Sequence, residues 1–364
     1  MKRPLRHAPS EISVAAIWKK GVLGKLLGLA SPLLDRLLGI RRVRTRLYER
    51  DGLAGTDRFT FVERFVERER ISYSHDPAAF RRIPAEGPVV VVANHPLGGL
   101  EGILLTWLLR LARPDYKVFV NVMLLFIKEL AEYYIFTNPA AKGSKANYRS
   151  IGEARSWLAA GHCLLVFPAG RVGLYRPEKG YVTDEHWDRI ALSLGLMTKA
   201  SFVPVFIEGE SSRLFGALSR HIFPMKLLYL IWEFLGSFGK HVAFHVGSPV
   251  PHSRLASMGR ARANAWLRML TYLQCPVAED GPPASAAGIS ARSRALSDAV
   301  ARGGLPAGRR PARGEGYPRA GIHPEVEDYI RKYGMDEAEL AELRAMLDEV
   351  WQDERPDAVR PRGS

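Results

Sequence analysis

The stretch Pro88-Val-Val-Val-Val-Ala-Asn-His-Pro-Leu-Gly-Gly-Leu-Glu-Gly102 decides how the chain is read. Four consecutive valines and an alanine form an apolar run without alternation, the pattern of a strand covered on both faces in a parallel sheet. Pro96 stops the run. Gly98 and Gly99 open backbone angles closed to other residues, and a helical spacing of apolar side chains resumes at Ile103, Leu104, Leu105, Trp107, Leu108 and Leu109. The unit is strand, tight loop, helix. It puts His95 at the carboxyl end of the strand, where open α/β sheets bind ligands, and Glu101 in the first helical turn. The helix dipole favours an ionised Glu101, and an anion beside an imidazole fixes its tautomer and raises its basicity. The residues alone leave two readings: a general base with its orienting acid, or a helix-start carboxylate worth about 0.3–1 kcal/mol beside a merely hydrogen-bonded histidine.

Outward from this unit, Lys117 to Val122, Cys163 to Phe167, Ser201 to Ile207 and Val242 to Val246 read as further strands. Phe59 to Arg70, Asn147 to Ala160 and Ala261 to Leu273 read as helices, and an apolar helix from Leu124 is broken by Lys128, Glu129 and Glu132. Alternation of strands and helices predicts an α/β fold with a mainly parallel central sheet and flanking helices. The block Phe167-Pro168-Ala169-Gly170-Arg171 then falls at a strand's carboxyl end, before a polar loop with Arg176 and Lys179. It is either a close backbone approach to a ligand with a forked donor for phosphate or carboxylate, or a turn with an exposed arginine. Pro204, inside a strand, calls for a bulge or an edge-facing amide. Glu208 and Arg213 contact an acceptor or pair with each other, and the aromatic stretch from Ile222 to Gly236 suits a buried helix or a lipid-facing surface.

Asn-His-Pro-Leu-Gly-Gly-Leu-Glu-Gly resembles the first motif of the glycerolipid (lysophospholipid) acyltransferase superfamily, in its hemolysin-like, ornithine-lipid-type branch. The parent motif is a histidine, four residues, then an aspartate. Here five residues separate His95 from Glu101, as in the two-glycine form of the branch, with Glu in place of Asp. Phe167-Pro168-Ala169-Gly170 resembles the branch's version of Phe-Pro-Glu-Gly, with Arg171 where the branch commonly has Glu. Val203-Pro204-Val205 followed by Glu208-Gly209 and Arg213 resembles the last motif. The resemblance covers roughly residues 55 to 255. It implies transfer of a fatty acyl group from an acyl carrier protein or coenzyme A thioester to the hydroxyl of a lysolipid, such as lyso-ornithine lipid or lysophosphatidic acid. His95 would be the base and Glu101 its orienting acid. Asn94, Gly98, Gly99, Pro168, Ala169, Gly170, Arg171, Glu208, Gly209 and Arg213 would contact substrate, the amides around Gly98 and Gly99 holding the oxyanion. No cofactor is implied. The alternative is an inactive peripheral lipid-binding protein of the same fold.

The chain has 364 residues and a formal charge of +14, so an anionic partner is expected: a membrane surface, an acidic carrier protein or nucleic acid. No finger, helix-turn-helix or aromatic-interleaved basic motif supports nucleic acid. The two cysteines, Cys163 and Cys275, give no disulfide framework, and no metal site is expected. Residues 1–55 read as an amphipathic membrane-docking arm, with Val22 to Leu38 apolar on one helical face, Pro32 within it, and Arg41, Arg42, Arg44 and Arg46 behind. Residues 56–280 form the α/β domain, 281–321 a flexible Gly/Pro/Ser/Arg linker, and 322–364 an acidic helical tail. That tail carries eleven acidic and three basic side chains between Ile322 and Glu354, so the body is more basic than the total. A peripheral place on the cytoplasmic face of the inner membrane follows from the resemblance.

Overall fold

Val89, Val90, Val91, Val92 and Ala93 form β2 (Val89–Ala93), and none of them keeps exposed surface. The structure, a computed structural model, describes residues 31–45, 56–137, 144–209, 231–276, 286–304 and 322–353, apart from short gaps at 38, 122–123, 125–126, 177–178 and 180. β2 is the central strand of a seven-stranded sheet. The order is β1 (Ser72–His75), β9 (His241–Val246), β8 (Ser201–Ile207), β2, β5 (Cys163–Val166), β3 (Tyr116–Asn121) and β4 (Tyr134–Thr137). The last five run parallel, while β9 lies antiparallel to β8 and carries β1 parallel to itself. The sheet is mainly parallel, as the apolar run implies.

The unalternating valines have a direct cause. Val89, Val91 and Ala93 pack with α3 (Arg58–Arg68) and α5 (Leu100–Leu109) on one face. Val90 and Val92 pack with α6 (Lys145–Ala159), α7 (Ile190–Thr198) and α9 (Arg260–Leu273) on the other. Short helices α4 (Pro77–Arg81) and α8 (His252–Ala256) close two connections. At the chain's start, α1 (Ser31–Leu37) and α2 (Ile40–Arg44) are separated at Gly39, whose φ of 72° is left-handed. The rest of the expected arm lies outside the described residues.

Pro204 sits at a bulge. β8 residues Phe202 and Val205 oppose Val250 and Val246, so three steps on one strand face four on the other, and the missing proline N–H leaves no gap in a regular ladder.

Two expectations are corrected. The helix expected from Leu124 is a 3-10 turn over Lys128–Tyr133 followed by the edge strand β4, because Tyr134 and Ile135 bury their side chains against the sheet. Within the expected linker, Ala286–Ala301 is a helix, α10. Its alanines favour helix, and Leu296 and Ala299 are fully buried beside α11 (Pro324–Tyr333) and α12 (Glu337–Asp353). The loop after Arg171 is likewise structured: Leu174–Arg176 and Tyr181–Thr183 pair as an antiparallel hairpin, β6–β7.

Candidate active site

The carboxyl ends of β8, β2 and β5 are neighbours in the sheet, and the three segments that leave them converge on His95. Asn94 fixes the exit from β2. Its Nδ2 donates to the Ile207 carbonyl at 2.9 Å and its Oδ1 accepts from the Ile207 amide at 2.7 Å, prolonging the β2–β8 ladder by a side chain. Asn94, expected to contact substrate, lines a cavity with Pro96, Gly173 and Asp184, and its side-chain amide also serves the fold.

The loop then doubles back through Gly98 and Gly99, with φ of 79° and 140°, angles that other residues rarely adopt. This bend aims the amides of Leu97, Gly98 and Gly99 at Glu101. Oε1 accepts from Leu97 N at 2.8 Å and Gly98 N at 3.0 Å, Oε2 from Gly99 N at 2.9 Å, and Oε1 also meets His95 Nδ1 at 2.8 Å. The longer carboxylate thus spans the longer loop. The amides expected to hold an oxyanion are occupied by this carboxylate, which corrects the role given to Gly98 and Gly99. They build the acid's cradle.

Glu101 has no exposed surface, whereas the His95 side chain keeps 19% of its own. Burial works to raise the Glu101 pKa, but the imidazole and the Gly99 and Leu97 amides outweigh it and hold the carboxyl below its usual range. For His95, burial works downward and is outweighed by the Glu101 charge and hydrogen bond, with help from Asp184, so the imidazole lies above its ordinary value. An ionised Glu101 accepts the Nδ1 proton, which leaves the lone pair on Nε2. The site therefore offers a base that points away from its anchoring acid.

Phe167 lies against the imidazole with ring centroids 4.7 Å apart. Beyond it the Pro168 carbonyl accepts from Asp188 N at 2.8 Å, Ala169 packs on the second core, and Gly170 turns the chain at φ 60° with its amide on the Phe167 carbonyl. Arg171 is 59% exposed and 3.4 Å from Glu185, which also takes Arg176 at 3.1 Å. From β8, Glu208 pairs with His245 at 2.6 Å, while Gly209 lies so close to Leu97 that a Cβ would stand 2.8 Å from its side chain. Arg213 lies outside the described residues.

A family model described as "Acyltransferase" matches residues 58–278. The chain belongs to the acyltransferase family. This is the glycerolipid acyltransferase superfamily that the three motifs resemble. A lyso-glycine lipid O-acyltransferase of Phocaeicola vulgatus is 28% identical over 176 residues, covering 46% of this chain and 61% of the relative. Another, of Bacteroides thetaiotaomicron, is also 28% identical over 176 residues, covering 46% and 63%. The chain spans about three-fifths of the length of these curated relatives. The 1-acyl-sn-glycerophosphate acyltransferase PlsC of Thermotoga maritima aligns over 66% of this chain and 92% of that chain, with 15% identity and a TM-score of 0.37.

Sequence reasoning missed a second layer of this acyltransferase site. Asp184, Arg268, Tyr272, His323 and Glu325 are grouped beside the His95 loop, and Asp184 accepts the His95 backbone N–H at 3.1 Å. Burial raises the pKa of Asp184, while Glu325, although buried, is held down to about 2 by Arg268 and Lys179. Burial pushes His323 down to about 3. One signal was present: Arg268 is a charge within the apolar pattern of α9.

Proposed function

We propose that the protein transfers an acyl group from a thioester, acyl carrier protein or coenzyme A, to the hydroxyl of a lysolipid. The observation that carries this reading is the His95–Glu101 pair, joined through Nδ1 on a ring that keeps 19% of its surface exposed. In the reaction, Nε2 takes the proton of the lysolipid hydroxyl as its oxygen attacks the thioester carbonyl. The new C–O bond forms, the C–S bond breaks, and the departing thiolate recovers a proton from the imidazolium. Glu101 stabilises that imidazolium. A thiol with a reference pKa of about 8.5 leaves far more readily than an alkoxide, so no acyl-enzyme is needed.

The names of the two relatives make a lyso-glycine lipid the first acceptor to test, ahead of lysophosphatidic acid. A peripheral membrane position is part of the proposal. No helix among the described residues is long and apolar enough to cross a membrane. Leu33, Leu37 and Trp232 are 62%, 59% and 43% exposed, beside exposed Arg36, Arg41 and Arg42. Arg42 lies over the Trp232 ring. Apolar side chains among arginines suit an anionic lipid interface. Phe234, two residues from Trp232, packs against Gly99 in the catalytic bend, so this surface adjoins the site.

Purified protein supplied with acyl thioesters and lysolipid in anionic vesicles is expected to release one thiol per ester formed, with product identified by mass spectrometry. No lysolipid-dependent thiol release with any donor would overturn the proposal.

Glu101→Gln is expected to cost less than loss of His95 but to move the pH profile. Gln brings a donor where the amides of Leu97, Gly98 and Gly99 require acceptors, and it removes the charge that holds the imidazole pKa up. The wild-type rate should rise with pH through that raised value as His95 loses its proton. In the variant the acid limb should shift to lower pH while the plateau falls. An unmoved limb in kcat/KM against pH would remove Glu101 from the orienting role.

A further inference from the structure

Beyond the matched residues, the C-terminal helices reach the catalytic loop through a buried chain of polar contacts. We infer that Glu325 is a positioning residue: seated on the body, it holds Arg268 and the β6–β7 hairpin so that Asp184 grips the backbone of His95, and the C-terminal helix pair thereby completes the site. This inference rests on the acyl-transfer reading above.

Glu325 stands in the first turn of α11 and is 7% exposed. Its Oε1 accepts from the Thr183 hydroxyl at 2.9 Å and from Lys179 Nζ at 2.5 Å. Its Oε2 accepts from Arg268 Nε at 3.2 Å and lies 3.1 Å from Nη2. Arg268 Nη2 donates in turn to the Asp184 carbonyl at 2.9 Å, and Nη1 donates to the Glu185 carbonyl. Asp184 is 4% exposed; Oδ1 accepts the His95 amide at 3.1 Å and Oδ2 the Trp187 indole N–H at 2.8 Å. On the other side, the His95 carbonyl accepts from Gly173 N at 2.7 Å. Gly173 and Asp184 flank the β6–β7 hairpin directly, so that hairpin holds both backbone polar groups of His95. Glu325 holds the hairpin at Thr183 and at Lys179, in its turn.

The charges make the arrangement depend on Glu325. Arg268 is only 17% exposed and lies between two carboxylates, Glu325 and Asp184. Without Glu325, Asp184 is the buried anion left for the guanidinium, and its carboxylate is drawn from the His95 amide. Thr183 and Lys179 of the hairpin lie far in sequence from Arg268, and one carboxylate ties them together.

The test compares Glu325→Gln with Glu342→Gln. Glu342 docks α12 through Arg254 at 2.7 Å, a contact of the same helix pair that does not include the hairpin. Thr183→Val is the second variant; it removes the hydroxyl that meets Glu325 and leaves every charge in place. Two readouts are taken in the full chain: kcat and KM separately, and hydrogen exchange at the His95 amide by mass spectrometry. In Glu325→Gln, kcat should fall about tenfold with KM within about twofold, a misplacement effect, while His95 exchanges about tenfold faster. Thr183→Val should move both in the same direction by less, and Glu342→Gln should leave both at wild-type values. Exchange no faster in Glu325→Gln and Thr183→Val than in Glu342→Gln would overturn the inference, as would faster exchange with kcat unchanged. A wild-type protein that transfers no acyl group would end the acyl-transfer reading alone, since His95 exchange still decides whether Glu325 holds that loop.

Discussion

His95→Ala is expected to lower kcat for acyl transfer by about 10²–10⁴, the contribution of a positioned general base, with KM for both substrates little changed. The ring's Nδ1 is committed to Glu101, which leaves Nε2 as the nitrogen to take a proton, so truncation removes proton transfer rather than a binding contact. The protein should stay folded. Glu101 keeps three backbone N–H donors after the imidazole is gone, and the partly exposed position of His95 lets water fill the gap. The residual rate should lose the acid limb that wild type shows, because the titrating group is absent. His95→Ala combined with Glu101→Gln should cost little more than His95→Ala alone, since the acid acts through the base. Steady-state kinetics with a melting curve for each variant check this. A variant within about fivefold of wild type would remove His95 from the chemistry.

The central unit was legible because its signal is local. Val89 to Ala93 need two apolar faces, the glycines need a bend, and Glu101 lies within one loop of His95, so one window of residues held strand, turn, helix and acid together. What a side chain does once it arrives was less legible. In sequence the amides at Gly98 and Gly99 read as an oxyanion site, and the direction of the bend turns them onto Glu101 instead. Asn94 sits in the motif but its amide extends the sheet. The Asp184–Arg268–Glu325 group had no periodic signal, because it joins a hairpin, a helix interior and the tail across the whole domain. The α10 stretch reads as linker by composition, since glycine and proline flank alanines whose helical preference shows only when Leu296 and Ala299 find a partner surface. The turn ending in β4 reads as helix because an apolar stretch starts at Leu124, and the strand emerges only where Tyr134 and Ile135 bury against the sheet.

The largest loss of stability is expected at Arg113, which the sequence presents as an ordinary loop residue in Ala112-Arg113-Pro114-Asp115. It is 1% exposed, and its guanidinium ties together three loops at the end of the sheet opposite His95. Nη1 donates to the carbonyls of Pro84 at 2.8 Å and Gly87 at 2.9 Å, and Nη2 to that of Gly161 at 2.8 Å. Nε and Nη2 hold Asp115 in a fork at 2.8 and 2.7 Å. Arg113→Met keeps the apolar stem and strips the donors, taking this donor from three carbonyls and leaving Asp115 with His162 as its remaining side-chain partner at 3.0 Å. A buried acceptor left without its hydrogen bond costs about 1–3 kcal/mol, so the three carbonyls together cost about 3–5 kcal/mol. For a domain of this size that is a fall in Tm of roughly 10 °C. Arg113→Lys should recover only part of it, since an ammonium cannot reproduce the planar fork. Acid sensitivity separates the charge from the hydrogen bonds. The Arg113 hydrogen bonds hold Asp115 down to about 2 against burial, with His162 adding to the effect. A carboxyl depressed in the folded state stabilises above its unfolded pKa of about 3.9 and loses that contribution as pH falls through its folded value. Wild type should therefore lose stability between about pH 4 and pH 2, and Asp115→Asn should lose less over the same window. A melting temperature of Arg113→Met within about 2 °C of wild type at pH 7 would show that water replaces the guanidinium at all three carbonyls, and the clamp would then contribute nothing to the sheet it closes.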